Sequence, residues 1–370
     1  MNILALNPGS TSLKTALFAV SNGTLTERFR VEDSHSFRDH LRRYIEKKYI
    51  RDIGDIHAFG VRVVHGGAFF SQSVRVTPSV LKKISQLAEL APLHNPPAIT
   101  LIHTLRSISS APIWVSFDTA FHRTIPPHIS RYPFLPHNAH HLQKYGFHGL
   151  AIQSVLRKIT SKTSLPRNVI VCHLGGGCSV SAVQNGKSLD TSMGFTPQEG
   201  TMMVERSGTV DAGAFVYLKR ILRMNDEQAL SFLNHQSGLR GYAETHDVKR
   251  IFDEAQADTN RQSARAVSLF THRVCQYIWQ YHGLLGGADM LVFSGGIGRK
   301  NAYARKRICE QCSVLGIALD AKKNADVSDA TLANQPFASI SSASSRIPVL
   351  VCKADEAREI AREVWKGEKD

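Results

Sequence analysis

Two stretches of the chain share one plan, and that plan restricts the available folds more than any other feature. The first runs NILAL, NPGSTSLK, TALFAV and SNG over residues 2–23. The second is NVIVCHLGGGCSVSAVQNGKSL, residues 168–189. Each reads as an apolar strand, a polar or glycine-rich turn, a second apolar strand and an Asn-Gly hairpin turn. The separation from Asn7 to Gly23 is 16 residues and from His173 to Gly186 it is 13, so the likeness is structural rather than a sequence repeat. The first turn offers the Asn7 amide, the hydroxyls of Ser10, Thr11 and Ser12, backbone N–H groups and Lys14. Such groups suit phosphate oxygens and the water shell of a metal. The turn leads into a strand and lacks the G-x-x-x-x-G-K-[ST] spacing of a Walker loop. Two strand–turn–strand units opposed across a cleft would hold a polyphosphate from both sides.

The intervening chain alternates strands with helices. HAFGVRVVHGG reads as a buried strand entering a loop, PSVLKKISQLAEL as a helix, PLHNPPAITLIHTLRSI as a loop and helix, and APIWVSFDTAF as a strand with a polar end. Residues 123–143, rich in Pro and His, read as a functional loop or an interdomain region. Residues 261–285 give the clearest amphipathic helix, with Val267, Phe270, Val274, Tyr277, Ile278, Tyr281 and Leu285 on one face. A strand, DMLVFSGGIG, then opens a helix, and EAREIAREVWKG reads as a closing helix. With 370 residues, two domains are expected: residues 1–145, with a helix at about 356–370 packing back onto it, and residues 146–355.

Six cysteines in a chain this size do not make a disulfide framework. With no basic n-region or cleavage site at the start, a cytoplasmic setting is expected. CEQC (309–312) has no partner pair at metal-finger spacing and reads as structural. The PHNAHH histidines (136–141) read as a solvated loop. A net charge of +14 is spread along the chain without an aromatic-interleaved basic stripe, which argues against nucleic acid. It favours the approach of small anions instead. No apolar run is long enough for a membrane span.

The motifs NPGSTSLK, RVVHGG (62–67), PLHNPP (92–97), FDTAFH (117–122), YGFHG (145–149), HLGGG (173–177), DTSMGFTPQEG (190–200), RSG (206–208) and SGGIG (294–298) follow one another in an order that resembles the acetate kinase family. That family lies within the superfamily of sugar kinases, actin and heat-shock ATPases. The resemblance implies an α/β fold of two ribonuclease-H-like, actin-like domains, each a mixed sheet with flanking helices, and an active site in the cleft between them. It also implies reversible Mg²⁺-dependent transfer of a phosphoryl group from ATP to acetate, giving acetyl phosphate and ADP. Propionate or butyrate is the alternative acceptor, and a homodimer is expected. A non-catalytic ATP-binding switch is the more remote alternative.

By the same resemblance Arg62, Asp118, His148 and Arg206 are catalytic. Arginine suits this work because its planar fork fits phosphoryl and carboxylate oxygens. Carboxylate attack needs no general base, so His148 serves as a donor. The acceptor is implied to meet Arg62, Val64, Leu93, His94, Phe147 and Pro197. The nucleotide is implied to meet Ser10, Ser12, Lys14, His173, Gly175, Gly176, Gly177, Asp247, Lys249, Gly295, Gly296, Ile297 and Gly298. Asn7 and Glu356 are implied for the metal. The chain departs from the family at Gly176, where Asn is common, and at Lys249, where the family has Arg. After SGGIG, Arg299 and Lys300 replace Glu-Asn. Leu150, Ala151 and Ile152 replace Thr-Ser-His, and the segment before Arg62 is shortened.

Overall fold

The computed structural model describes residues 1–9, 12–33, 37–92, 94–134 and 142–369, the side chains of Glu32 and Asp33 excepted. Ser10 and Leu93, both expected at the site, and the PHNAHH segment fall outside the described residues. The chain divides into two compact units whose segments interleave. Met1–Arg123, Phe147–Ser154 and Asp355–Asp370 form the first, and Thr124–Gly146 with Val155–Ala354 form the second. The expected boundary after residue 145 is thus crossed by the 147–154 segment, which belongs with the first unit.

The first unit is built on strands β1 (Asn2–Pro8), β2 (Leu13–Ser21), β3 (Thr24–Asp33), β4 (Ala58–Val63), β5 (Val74–Arg75) and β6 (Ile113–Phe117). Their order in the sheet is β3-β2-β1-β4-β6-β5. β1, β2 and β3 are antiparallel neighbours, β1, β4 and β6 run parallel, and β5 returns antiparallel to β6. The continuous apolar runs of β1 and β4 follow from burial of both sheet faces. Leu4, Leu6, Phe59 and Val61 point into one core, and Ile3, Ala5 and Ala58 into another. That second core is closed by Ile360, Ala361 and Val364 of the helix Glu356–Gly367. The i, i+1, i+4 spacing puts those three on one helical stripe. Asp355 caps the helix by accepting from the Arg358 N–H at 3.2 Å, and its carboxylate also pairs with Arg30 at 2.8 Å.

The second unit contains β7 (Asn168–Leu174), β8 (Cys178–Gln184), β9 (Lys187–Thr191), β10 (Met290–Ser294), β11 (Phe337–Ser339) and β12 (Val349–Cys352). The order is β11-β12-β10-β7-β8-β9. Three antiparallel strands again adjoin a parallel trio, β7, β10 and β12. The likeness between the two stretches therefore extends to sheet topology. The hairpins agree too: Asn22 and Gly23 have φ of 47° and 77°, and Asn185 and Gly186 have 50° and 74°. Paired positive φ values are the type I′ turn that matches strand twist and selects Asn-Gly. The expected amphipathic helix spans Arg261–Leu284 and buries Val267, Phe270, Val274, Ile278 and Tyr281. After β10 the glycines do not form an open turn but are themselves helical over Gly295–Lys300. All six cysteines are buried free thiols.

Candidate active site

In the first unit the parallel strands deliver polar residues to their carboxyl ends, where open α/β sheets bind ligands. Asn7 lies near the end of β1 and Arg62 near the end of β4. Asp118 directly follows β6 and donates its N–H to the Val63 carbonyl at 3.3 Å. These side chains interlock. Arg62 donates through Nε to both Asp118 oxygens at 3.0 and 3.1 Å and through Nη2 to Asp118 Oδ2. Its Nη1 donates to Asn7 Oδ1 at 2.9 Å. The Asn7 amide in turn donates to Glu356 Oε2 at 2.8 Å. Glu356 is the first residue of the closing helix, so a residue remote in sequence completes the row. Lys14 stands opposite Asn7 in the β1–β2 register, which puts both side chains on one face. Its neighbour Ser12 accepts the Gly9 N–H on its carbonyl at 2.7 Å.

Asp118 is fully buried. Burial pushes its carboxyl above the ordinary range, and the Arg62 charge, the Arg62 hydrogen bonds and the His148 N–H offset this in part. Burial also works against the charge on Arg62, but Asp118 and Glu356 outweigh it and hold the guanidinium above its usual range. A permanently charged Arg62 fork is thus pinned on one side by a carboxylate. Three of its five N–H groups are engaged in these bonds, which leaves donors for an incoming oxyanion.

The remaining candidates of this unit cluster around the same edge. Val64 and Phe147 are buried. His65 lies edge-on to Phe147, with ring centroids 5.5 Å apart. Asn95 clamps the backbone of His65, accepting its N–H and donating to its carbonyl, both at 3.1 Å. His94 is the N-cap of the helix Asn95–Ile108, so this clamp joins the loop carrying Val64 to the helix start carrying His94. His148 has φ of 63°, in the left-handed region.

In the second unit the glycine turn after β7 lies beside the glycine-rich helix start after β10. A Cβ on Gly175 would sit 3.6 Å from the Gly296 nitrogen. Gly175, Gly176, Lys249, Gly296 and Ile297 line one cavity of about 740 Å³, a size suited to a nucleotide-sized ligand. Val204, Val248, Asp253, Gln256, Asn301, Ala302 and Tyr303 complete its wall, together with Arg299 and Lys300. None of these was assigned a role from sequence. The signal available for Arg299 and Lys300 was that they directly follow SGGIG. Arg299 pairs with Asp329, and Lys300 lies 3.5 Å from the same carboxylate, so the local charge is partly neutralised. Asp247 is not in the cavity wall. Its carboxylate caps the helix Val248–Ala257 by accepting the Arg250 N–H at 3.0 Å. Gly298 sits behind the turn, 3.6 Å from the Cys172 carbonyl for an added Cβ. Gly177 accepts the Gly175 N–H at 2.9 Å, and His173 pairs in register with Ser294. Arg206 donates to the Pro197 carbonyl at 3.3 Å. Burial lowers its pKa from the ordinary arginine value.

Two sheets of matching topology with flanking helices define an actin-like ATPase fold. The family model described as the acetokinase family matches residues 26–362. The chain is 36% identical to a propionate kinase of Escherichia fergusonii, over 98% of this chain and 96% of that one. It is 35% identical to an acetate kinase of a Sulfurovum species, over 98% of each. The crystal structure of Porphyromonas gingivalis acetate kinase matches with a TM-score of 0.86 at 30% identity, covering 99% of both chains. The chain belongs to the acetokinase family. It is accordingly a phosphotransferase with a carboxyl group as acceptor, a short-chain carboxylate kinase that uses ATP and ADP.

Proposed function

We propose that the chain transfers the γ-phosphoryl group of ATP directly to acetate, giving acetyl phosphate and ADP, with propionate or butyrate as the alternative acceptor. The observation that carries this reading is the Asn7–Arg62–Asp118–Glu356 network. A nucleotide switch has no need of a half-buried arginine pinned by a buried carboxylate at a strand end. The first unit supplies the acceptor chemistry. Arg62 holds an oxyanion on its spare N–H groups, His148 donates to the developing phosphoryl charge, and Val64 and Phe147 give the acyl chain an apolar surface. One methylene is worth about 1–3 kcal/mol in such a pocket, so acids of neighbouring length compete. The second unit takes the nucleotide in the cavity beside Gly175, Gly176 and Gly296.

The donor set fits Mg²⁺. Glu356 offers one carboxylate and Asn7 the second lone pair of an amide oxygen whose first accepts from Arg62, and Mg²⁺ prefers few protein ligands with several waters. Among the described residues no group of three His, Cys, Asp or Glu is placed to hold a metal. When bound, Mg²⁺ neutralises charge on the β- and γ-phosphates. The test is a hydroxylamine trap for acyl phosphate with ATP, Mg²⁺ and a panel of C2–C4 acids. Acetyl hydroxamate is expected in greatest yield, and no hydroxamate from any acid would overturn the reading. Arg206→Ala is expected to lower turnover about a hundredfold or more while ATP affinity, measured by titration, stays within a few-fold. Equal losses in both would argue against a role in the transition state.

A homodimer is part of the same proposal. The helix Ala212–Ile221 has no buried residue, yet it presents Val216, Tyr217 and Ile221 at 54%, 59% and 55% exposure. Exposed apolar side chains grouped on one helix mark interaction sites. Light scattering is expected to give a dimer mass that Tyr217→Glu reduces to a monomer; an unchanged mass would remove this surface as the interface. The six buried thiols suit a reducing, cytoplasmic setting. No helix among the described residues is long and apolar enough to cross a membrane.

A further inference from the structure

His148 adopts a left-handed backbone conformation with φ of 63°, which is unfavourable for a residue with a Cβ. Something must hold it there. Three hydrogen bonds between the 118–122 turn and the backbone of residues 147–149 do so. The Gly149 N–H donates to the Asp118 carbonyl at 2.9 Å. The His148 N–H donates to the Asp118 carboxylate. The third involves His122, whose ring Nε2 is 2.9 Å from the Phe147 carbonyl. A carbonyl only accepts, so Nε2 carries the hydrogen. His122 is 3% exposed and sits on the short helical turn Ala120–Thr124 that follows Asp118. The approach is close throughout. A Cβ on Gly149 would lie 2.2 Å from the Asp118 carbonyl oxygen and 2.7 Å from Phe121 Cβ. Only glycine allows the 147–149 strip to seat against the strand end.

We propose that His122 is a positioning residue for phosphoryl transfer. By fixing the Phe147 carbonyl it sets the peptide plane from which His148 projects and the place of the Phe147 ring. Asp118 fixes the other side of the same strip while its carboxylate pins Arg62. The turn 118–122 therefore sets the positions of both Arg62 and His148. His122 touches neither substrate nor nucleotide in this role. It acts through His148, and the inference rests on the reading of His148 as the donor to the transferred group.

The test is a double-mutant cycle followed by hydroxamate formation. His122→Leu removes the donor at similar bulk, and His122→Gln keeps an N–H at comparable reach. His148→Ala is expected to lower kcat strongly. His122→Leu is expected to lower kcat by about a hundredfold, the scale of a 1 Å misplacement, with the KM for ATP within about twofold. His122→Gln should recover most of that loss. In the His148→Ala background, His122→Leu should cost little more, since coupled residues are not additive. If His148→Ala leaves kcat unchanged, the underlying reading of His148 fails. If His148→Ala is severe but His122→Leu multiplies fully on top of it, or by itself leaves kcat unchanged, the positioning role fails. If His122→Leu does not fold, His122→Gln decides: near-normal kcat supports the role, and a loss as deep as that of His148→Ala overturns it.

Discussion

Arg62→Ala is expected to reduce kcat by about a thousandfold, the upper range for loss of one preorganised donor to transition-state charge. The variant is also expected to melt several degrees lower. Both effects follow from one geometry. The guanidinium donates to Asp118 and Asn7 together, so its removal takes away the donor and strands a fully buried carboxylate. Breaking a buried pair from one side costs about 3–5 kcal/mol because the remaining charge is uncompensated. The second substitution Asp118→Ala should therefore restore much of the lost melting temperature without restoring turnover. Arg62→Lys should keep the charge but lose the fork, leaving activity between the extremes. The measurements are hydroxamate yield and thermal melts. A loss of less than tenfold in Arg62→Ala would remove this arginine from the transition state.

The second large effect is expected at Gly295. This residue has φ of 77°, and a Cβ there would lie 2.4 Å from the Leu174 carbonyl oxygen, 2.6 Å from its carbon and 2.9 Å from its nitrogen. All three are backbone atoms, so no side chain can swing aside. Gly295→Ala must push β7 and β10 apart at the point where their turns meet the cavity. The strain of a misplaced Cβ is about 1–3 kcal/mol, with the clash in addition. The expected result is a lowered melting temperature together with loss of measurable ATP binding. Gly176→Ala is the control, because a Cβ at that position meets nothing within 4 Å. Its melting temperature should be unchanged, and any loss of ATP affinity would come from crowding in the cavity that Gly176 lines. Equal stability of the two variants would contradict this account.

Much of the architecture was written in local patterns. The Asn-Gly dipeptides at 22–23 and 185–186 announce type I′ hairpins because only such residues tolerate paired positive φ. The apolar runs of β1, β4, β7 and β10 announce strands buried on both faces. The closing helix EAREIAREVWKG was legible as a helix, but its Asp355 cap was not. The interleaving of the two units was not legible. Nothing local distinguishes residues 147–154 from their flanks; their place depends on the Gly149 approach to Asp118. At the site, motifs drew attention to Asn7, Arg62, Asp118 and Glu356 one by one. Their mutual hydrogen bonds depend on the β1–β4–β6 order, which no spacing encodes. Asp247 drew attention as a nucleotide contact, whereas its carboxylate caps a helix, a use that sequence cannot separate from binding. The pairing of Arg299 with Asp329 escaped for the same reason: it is a contact between elements, and the sequence shows only two unusual cations.

The closing helix has a consequence for the order in which the molecule is made. Asp355 donates its N–H to Ser154, 201 residues earlier, and Ile360 and Val364 complete a core begun by Ile3 and Ala5. A ribosome emits chain from the N-terminus at about 5–20 residues per second. The first sheet must therefore wait, with one face bare, while the whole second unit emerges. That second unit, apart from the residues 124–146, is continuous and can fold during the wait. Contacts of such long sequence separation are slow to form, so the exposed face of β1 and β4 is the segment most in need of a chaperone. Glu356 arrives with the same helix, so a nascent chain cannot assemble the Asn7–Glu356 pair until the second unit has been made.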